Sequence, residues 1–113
     1  MRNNCSHTVL ENFFEPCSLY LLMKGSSYGY DIQKQLKEDC TCDVNIGNLY
    51  RCLARLQKQG YITRKGTKSE IGPKRYSYTI TEEGKVYLAS WIEALKNQKE
   101  VISSLIKNYK KIT

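Results

Sequence analysis

Residues 45–60, which read NIGNLYRCLARLQKQG, predict an amphipathic helix. At about 100° per residue, Cys52, Leu53 and Leu56 fall within about 60° of Leu49 and form an apolar face. The opposite side is small or basic and consists of Gly47, Asn48, Arg51, Ala54, Arg55 and Lys58. An asparagine at the start and a glycine at the end are typical of helix termini. One side of this helix is therefore expected in the core and the other at the surface.

The outer side of this helix belongs to a strongly basic segment. Residues 49–59 contain no acid, whereas an ordinary solvated helix mixes both signs of charge. Between Arg51 and Arg75 lie eight of the 18 Lys and Arg residues but one of the 11 acids, so this segment carries the whole net charge of +7. Because clustered cations attract a phosphate backbone, the segment predicts a nucleic-acid-binding surface. A basic surface without a specific partner is the alternative.

Two shorter helices are predicted before the basic one. The first covers about residues 16–24, because a proline suits its first position and a glycine follows its end. The second covers about residues 28–38, with a hydroxyl of Ser26 or Ser27 as the expected N-cap. Residues 39–44 carry no helical signal and leave room for one short strand.

A β-hairpin is predicted after the basic helix. Residues 61–64 and 76–80 are rich in β-branched and aromatic side chains, which favour strands. Gly66, Gly72 and Pro73 supply turn chemistry in a loop of about ten residues between them. Three helices followed by a basic hairpin predict a winged helix-turn-helix, so the expected fold class is mainly α with a small β-hairpin.

A long helix is predicted from the N-cap Thr81 to the C-terminus, since no proline interrupts it. Spacings of three and four residues along it define an apolar stripe, formed by Leu88, Trp91, Ile92, Leu95, Ile102, Leu105, Ile106 and Tyr109. A helix of about thirty residues extends ~45 Å, which is more than the winged domain covers. We therefore expect a homodimer with this stripe at its interface, in which the two basic helices face successive turns of DNA. Folding of the stripe back onto its own domain is the alternative.

The chain of 113 residues is expected to contain one folded domain with two extensions. These are a loose N-terminal arm over residues 1–12, a DNA-binding domain over 13–80 and a dimerisation helix over 81–113. A hydrophobic fraction of 41% excludes collagen-like and strongly disordered classes. No apolar run approaches the roughly 20 residues that span a bilayer, and no export signal is recognisable. We therefore expect a cytoplasmic protein without a membrane partner.

The five cysteines are expected to be reduced thiols. Cys17 and Cys52 lie among apolar residues and are predicted to be buried. Cys5, Cys40 and Cys42 leave open a metal- or thiol-responsive regulator, although a lone C-x-C lacks the paired spacing of a zinc site, and no metal site is predicted. One histidine and no nucleophile–base grouping predict that the chain is not an enzyme and needs no cofactor.

Four blocks of the sequence resemble the PadR family of transcriptional regulators in order and spacing. They read SYGYDI at 27–32, GNLYRCLARL at 47–56, QGYI at 59–62 and GPKRYSYTITEEG at 72–84. The likeness covers about residues 14–113, and the short length and single C-terminal helix are similar to the small subgroup of that family.

The resemblance implies a homodimeric DNA-binding regulator, usually a repressor, that binds a pseudo-palindromic operator in double-stranded DNA. By matching position, it places nearest the bases Asn45, Gly47, Asn48 and Arg51. Those that it places at the phosphates are Tyr30, Tyr50, Lys68, Lys74 and Arg75. The basic face adds Arg55 as a predicted DNA contact, whereas Arg64 and Lys65 receive no specific role.

Two functional alternatives remain at this stage. Drug-responsive family members stack flat hydrophobic ligands on aromatic side chains of the last helix, and this likeness implies an effector site at Trp91 and Leu95. Plain dimer packing of Trp91 is the competing interpretation. A winged helix also serves in protein-interaction modules without an operator, since a fold does not by itself define a function.

Overall fold

The computed structural model describes residues 13–25, 27–40, 44–67 and 75–113. In chain order these residues form α1 (Phe14–Lys24), β1 (Ser27–Tyr28), α2 (Gly29–Asp39), α3 (Ile46–Lys58), β2 (Ile62–Thr67), β3 (Arg75–Ile80) and α4 (Glu82–Lys111). The prediction of a mainly helical winged helix-turn-helix with a long C-terminal helix is confirmed. The loose arm predicted over residues 1–12 lies outside the described residues.

Helix α1 is the most buried of the helices. It begins at Phe14 rather than at the predicted Pro16, because proline is tolerated anywhere in a first turn, where the amides have no intrahelical partner. Leu19, Leu21 and Leu22 are buried in the core. Cys17 is buried in the same core, as the sequence predicts.

The start of α2 differs from the prediction. The N-cap is Tyr28, which gives no side-chain hydrogen bond to the helix, and Ser27 lies in β1 opposite Tyr78 of β3. The expected serine cap is therefore wrong at Ser27, because the backbone of that residue is used in the sheet; Ser26 lies outside the described residues. A strand of two residues is too short to produce a visible alternation. The strand suggested within residues 39–44 is not seen in its described part, 39–40 and 44.

The three strands form one antiparallel sheet in the order β1-β3-β2. Strand β2 is longer than predicted and pairs with β3 from Ile62 opposite Ile80 to Thr67 opposite Arg75. Gly66, expected in the turn, lies in this ladder opposite Tyr76, so that expectation is wrong. Glycine keeps both backbone hydrogen-bonding groups and can therefore pair in a ladder, although it adds no side chain to the sheet.

Helix α4 begins on the domain and then leaves it. The hydroxyl of Thr81 accepts a hydrogen bond from the Gly84 amide at 3.0 Å and donates one to the Gly60 carbonyl at 2.7 Å. A Cβ on Gly84 would collide with the backbone carbonyl of Tyr61. Leu88 is the last buried residue of α4, and the described part of the molecule measures 64 × 31 × 20 Å. Within this part, no helix combines the length and apolar content needed to cross a membrane.

Candidate nucleic-acid interface

The N-terminus of α3 is organised by Asn45. Its Oδ1 accepts hydrogen bonds from the amides of Gly47 at 2.8 Å and Asn48 at 3.3 Å. These bonds satisfy two of the amides that a helix leaves unpaired at its start. Asn45 and Gly47, both predicted to lie near bases, therefore also shape the end of the helix that carries the predicted base-reading side chains.

One turn further along α3, Asn48 and Arg51 form an exposed polar pair. The Arg51 guanidinium donates from Nη2 to the Asn48 Oδ1. A guanidinium has five N–H donors, so this bond occupies a fraction of them. On the other side of the helix, Leu49, Cys52, Leu53 and Leu56 are buried, as predicted. The buried side fixes the rotation of α3 and thereby presents the polar pair to solvent.

A cavity of about 300 Å³ lies beside α3, between the start of α2 and strand β3. It is lined by Tyr28, Gly29, Tyr30, Asp31, Tyr50, Arg75 and Tyr76. The Tyr50 ring lies directly over Gly29, where an added Cβ would come within 2.7 Å of the Tyr50 hydroxyl. This tyrosine-rich cavity combines hydroxyl donors, a cation and the N-terminus of a helix. Because the first amides of a helix attract phosphate, all three features favour an anion. The carboxylate of Asp31, which also lines the cavity, would repel an anion bound there.

The wing adds exposed cations to the same face. The Arg64 guanidinium lies 4.2 Å from the ring centroid of Tyr76, and that of Arg75 lies 5.8 Å from the ring centroid of Tyr28. Lys65 is also exposed on β2. Arg64, which received no role from the sequence, is thus a cation held against the wing by an aromatic ring. Lys68 and Lys74 lie outside the described residues.

Arg55 differs from the other predicted DNA contacts because it has a partner inside the protein. Its Nη2 lies 2.8 Å from Oε2 of Glu15, a residue of α1 that is 5% exposed. Trp91 donates from Nε1 to Oε1 of Glu15 at 3.2 Å, and the Tyr87 hydroxyl donates to the same oxygen. Sequence reasoning missed Glu15, whose only local signal is an acid inside an apolar run.

The electrostatics of this group follow from its donors. Burial by itself raises the pKa of the Glu15 carboxyl, but the hydrogen bonds from Tyr87, Arg55 and Trp91 outweigh burial and hold that pKa below its usual value. The hydrogen bond to Glu15 in turn raises the pKa of Arg55. Glu15 is therefore a carboxylate at neutral pH, and Arg55 is its charge partner.

The predicted apolar stripe of α4 divides into two parts. Leu88 is 4% exposed and belongs to the core of its own chain, so its assignment to a dimer interface is corrected. Trp91 is half-buried, packs against the same core and is hydrogen-bonded to Glu15, which favours packing over an effector role for its indole. Leu95 is half-buried. The exposed remainder consists of Ile92, Ile102, Leu105, Ile106 and Tyr109. The alternative in which the whole stripe folds back on its domain is therefore wrong.

Two of the three described thiols, Cys17 and Cys52, are buried in the core, and Cys40 is half-buried. Burial raises the pKa of the Cys52 thiol to about 12, and burial together with a hydrogen bond involving Cys40 raises that of Cys17. Both thiols are therefore protonated and unreactive at neutral pH. Within the described ranges, no group of three potential ligands could hold a metal ion. Cys5 and Cys42 lie outside those ranges.

Comparisons with known proteins agree with this geometry. The model of the Transcriptional regulator PadR-like family matches residues 19–90. The structure of a transcriptional regulator from Clostridium thermocellum is similar with a TM-score of 0.78 and 31% identity, over 88% of this chain and 95% of that chain. Bacillus subtilis PadR in complex with operator DNA gives a TM-score of 0.65 and 30% identity, over 71% of this chain and 46% of that chain.

A curated relative adds to these matches. The negative transcriptional regulator PadR of Bacillus subtilis (strain 168) is 33% identical over 76 residues, which make up 66% of this chain. The chain spans 42% of the length of that relative. The matched proteins are transcriptional regulators and not enzymes, in agreement with the sequence prediction. Residues 19–90 include α3, the wing and the start of α4, and this chain therefore belongs to the PadR-like family of transcriptional regulators.

Proposed function

We propose that this protein is a dimeric repressor that binds a pseudo-palindromic operator in double-stranded DNA. The observation that carries the proposal is the exposed Asn48–Arg51 pair on α3, flanked by the tyrosine-rich cavity and the cations of the wing. One relative supports it by name, since PadR of Bacillus subtilis is called a negative transcriptional regulator and was solved in complex with operator DNA. We propose that it acts in the cytoplasm, where such an operator lies.

In this proposal α3 enters the major groove and reads bases with its first turns. Arginine pairs with guanine through two hydrogen bonds, and asparagine pairs with adenine in the same way. Arg51 and Asn48 have these chemistries and lie one turn apart on the exposed side. Asn45 and Gly47 lie at the helix terminus that would come closest to the bases.

Phosphate contacts would come from the residues around the cavity and from the wing. Tyr30 and Tyr50 are exposed tyrosines beside the first amides of α2, and Arg75 lies on the same cavity. Such contacts fix the orientation of a protein on the duplex without reading its sequence. Lys68 and Lys74 are assigned to phosphates from the sequence alone. Arg55, whose side chain is 46% exposed, adds positive charge near the duplex while it stays paired with Glu15.

The partner that we propose for the exposed part of α4 is a second copy of the chain. Monomers seldom leave such a contiguous apolar surface open, and a two-fold dimer buries the same stripe from both copies. Leu105 is 69% exposed within this stripe. We expect Leu105→Asp to give a monomer in sedimentation velocity, and Ser103→Asp, on the polar side of the same turn, to leave the dimer intact. A dimeric Leu105→Asp protein would contradict the proposed interface.

The DNA-binding proposal is tested by selecting bound duplexes from a random pool and titrating the selected site by fluorescence anisotropy. We expect Arg51→Ala to weaken binding by roughly tenfold or more and to relax the preference at one base pair. Lys107→Ala, which removes one positive charge from the exposed end of α4, is the control and should bind as the wild type does. Affinity should also fall steeply with salt, because phosphate contacts release counterions.

Two results would overturn the proposal. One is that no duplex is enriched by the wild-type protein, which would favour the protein-interaction alternative. The other is that Arg51→Ala binds the selected site with wild-type affinity and preference.

A further inference from the structure

Glu15 connects the helix proposed to read DNA with the helix proposed to form the dimer. It lies on α1, yet its carboxylate accepts hydrogen bonds from Arg55 of α3 at 2.8 Å and from Trp91 of α4 at 3.2 Å. Tyr87 of α4 donates to it as well. Three donors from two other helices therefore meet on one buried carboxylate.

A second set of contacts joins the same two helices. Tyr61 lies three residues after the end of α3 and directly before β2, and its ring stacks on that of Tyr87 with centroids 4.1 Å apart and an interplanar angle of 4°. Gly84 packs against the Tyr61 backbone at the start of α4. We call the set formed by Glu15, Arg55, Tyr61, Tyr87 and Trp91 the junction. The junction joins α1, α3, the residue before β2 and the first turns of α4, and it thus connects α4 to the domain at the point where the helix leaves it.

The direction of α4 matters because a small change in its angle at Trp91 produces a larger displacement at its far end. About twenty residues of α4 follow Trp91, which corresponds to ~30 Å of helix. A tilt of about 5° at Trp91 would therefore move the far end by ~2.6 Å, a distance comparable to the rise of ~3.4 Å between base pairs. In a dimer built on α4, such a tilt changes the separation and relative rotation of the two α3 helices.

We propose that Glu15 is a positioning residue, which sets the half-site separation that the dimer accepts by holding α4 at a fixed angle to α3. The inference rests on the proposed dimeric operator binding. It assigns no DNA contact to Glu15 itself, since the carboxylate is buried and would repel phosphate. Binding to one isolated half-site should therefore not depend on it.

The experiment uses the full chain and duplexes built from the half-site that the wild-type protein selects. The separation between the two half-sites is varied in steps of one base pair, and apparent affinity is measured by anisotropy. The wild-type protein should prefer one separation over its neighbours by roughly tenfold. Glu15→Gln and Trp91→Phe should reduce this preference to about twofold while leaving affinity for an isolated half-site unchanged.

The controls separate positioning from general stability. Glu93→Gln removes an exposed carboxylate from the same helix, where it pairs with Lys96 at 3.7 Å, and should keep the wild-type preference. Circular dichroism and sedimentation velocity verify that each variant is folded and dimeric. If Glu15→Gln does not fold, Trp91→Phe decides the outcome, because it leaves the Glu15–Arg55 ion pair in place.

The possible results are distinct. A wild-type protein that selects no DNA overturns the proposed function and this inference together. A wild-type protein that binds without a preferred separation overturns the inference alone. The inference is also overturned if either folded variant keeps the wild-type preference for one separation. An equal loss of affinity at every separation overturns it as well, because that pattern is expected of a merely structural residue.

Discussion

Two regions of α3, one turn apart, use the same residue type in opposite ways. Near the start of the helix, Arg51 is exposed and bonded only to its neighbour Asn48 among the contacts found in the described chain. Near the end, Arg55 is tied to a buried carboxylate from another helix. The first region is open to a ligand, and together with the adjacent tyrosine-rich cavity we call it the open region. The second belongs to the junction. A basic face on a helical wheel is thus not one functional surface.

Glycine substitutions should separate the two regions most strongly. Next to the junction, Gly84→Ala places a methyl group against the backbone of the junction residue Tyr61, and a backbone atom cannot move aside as a side chain does. We expect a loss of about 3 kcal/mol in the free energy of unfolding. At the open region, the methyl group of Gly29→Ala meets the far end of the Tyr50 ring, which can rotate away. That change should cost less than about 1 kcal/mol.

Urea denaturation at matched protein concentration measures the free energy of unfolding of both glycine variants and of the wild type. Gly29→Ala should nevertheless weaken DNA binding, because it displaces Tyr50 from the tyrosine-rich cavity. Equal destabilisation by the two substitutions would show that the two regions do not differ in rigidity.

Arginine substitutions give the next largest contrast. Arg55→Ala leaves the Glu15 carboxylate buried with two neutral donors in place of a cation, and should cost about 2 kcal/mol of unfolding free energy. This figure is below that of a fully buried ion pair because the Arg55 side chain is 46% exposed. Arg51→Ala breaks one surface contact and should change stability by less than about 0.5 kcal/mol.

The same two variants should rank in the opposite order when the loss of DNA-binding affinity is compared. Measured with folded protein, Arg51→Ala should weaken operator binding more than Arg55→Ala does. If Arg55→Ala leaves stability unchanged but weakens binding as strongly as Arg51→Ala, Arg55 belongs to the open region and the division of α3 is wrong.

The two regions were not equally accessible to sequence reasoning. The exposure of the polar side of α3 could be predicted because its signals are local. The cap at Asn45, the helical spacing of the apolar residues and the run of cations all lie within some thirty residues. The junction depends on contacts between residues 40 and 76 positions apart in the chain, such as Glu15 with Arg55 and with Trp91. Strand β1 was missed for a related reason, since two residues gain strand character only from their pairing with β3.

The stripe on α4 shows both effects within one helix. Its periodicity correctly predicted which side is apolar. Periodicity could not tell that Leu88 faces the core of its own chain while Leu105 stays exposed, because that difference depends on where α4 leaves the domain.

The smallest expected effect is a dependence of stability on pH that belongs to the junction. The folded-state pKa of Glu15 lies below its usual value of 4.5. Its carboxylate therefore stabilises the fold fully above pH 4.5 and loses that contribution as the pH falls through the folded-state pKa. The raised pKa values of Arg55 and Tyr87 mean that both donors keep their protons throughout this range. Glu15→Gln should thus be less stable than the wild type at neutral pH by on the order of 1 kcal/mol, and the difference should shrink in acid.

Urea titrations of both proteins from neutral pH to about pH 3 measure this difference. Glu93→Gln serves as the matched control, since it removes an exposed carboxylate from the surface pair with Lys96. Arg51→Ala, in the open region, should follow the wild-type curve at every pH because Arg51 has no contact with Glu15 among those described. A gap between Glu15→Gln and the wild type that stays constant into acid would mean that the charge of Glu15 contributes nothing. The junction would then be held by shape alone, and its difference from the open region would be one of packing rather than of charge.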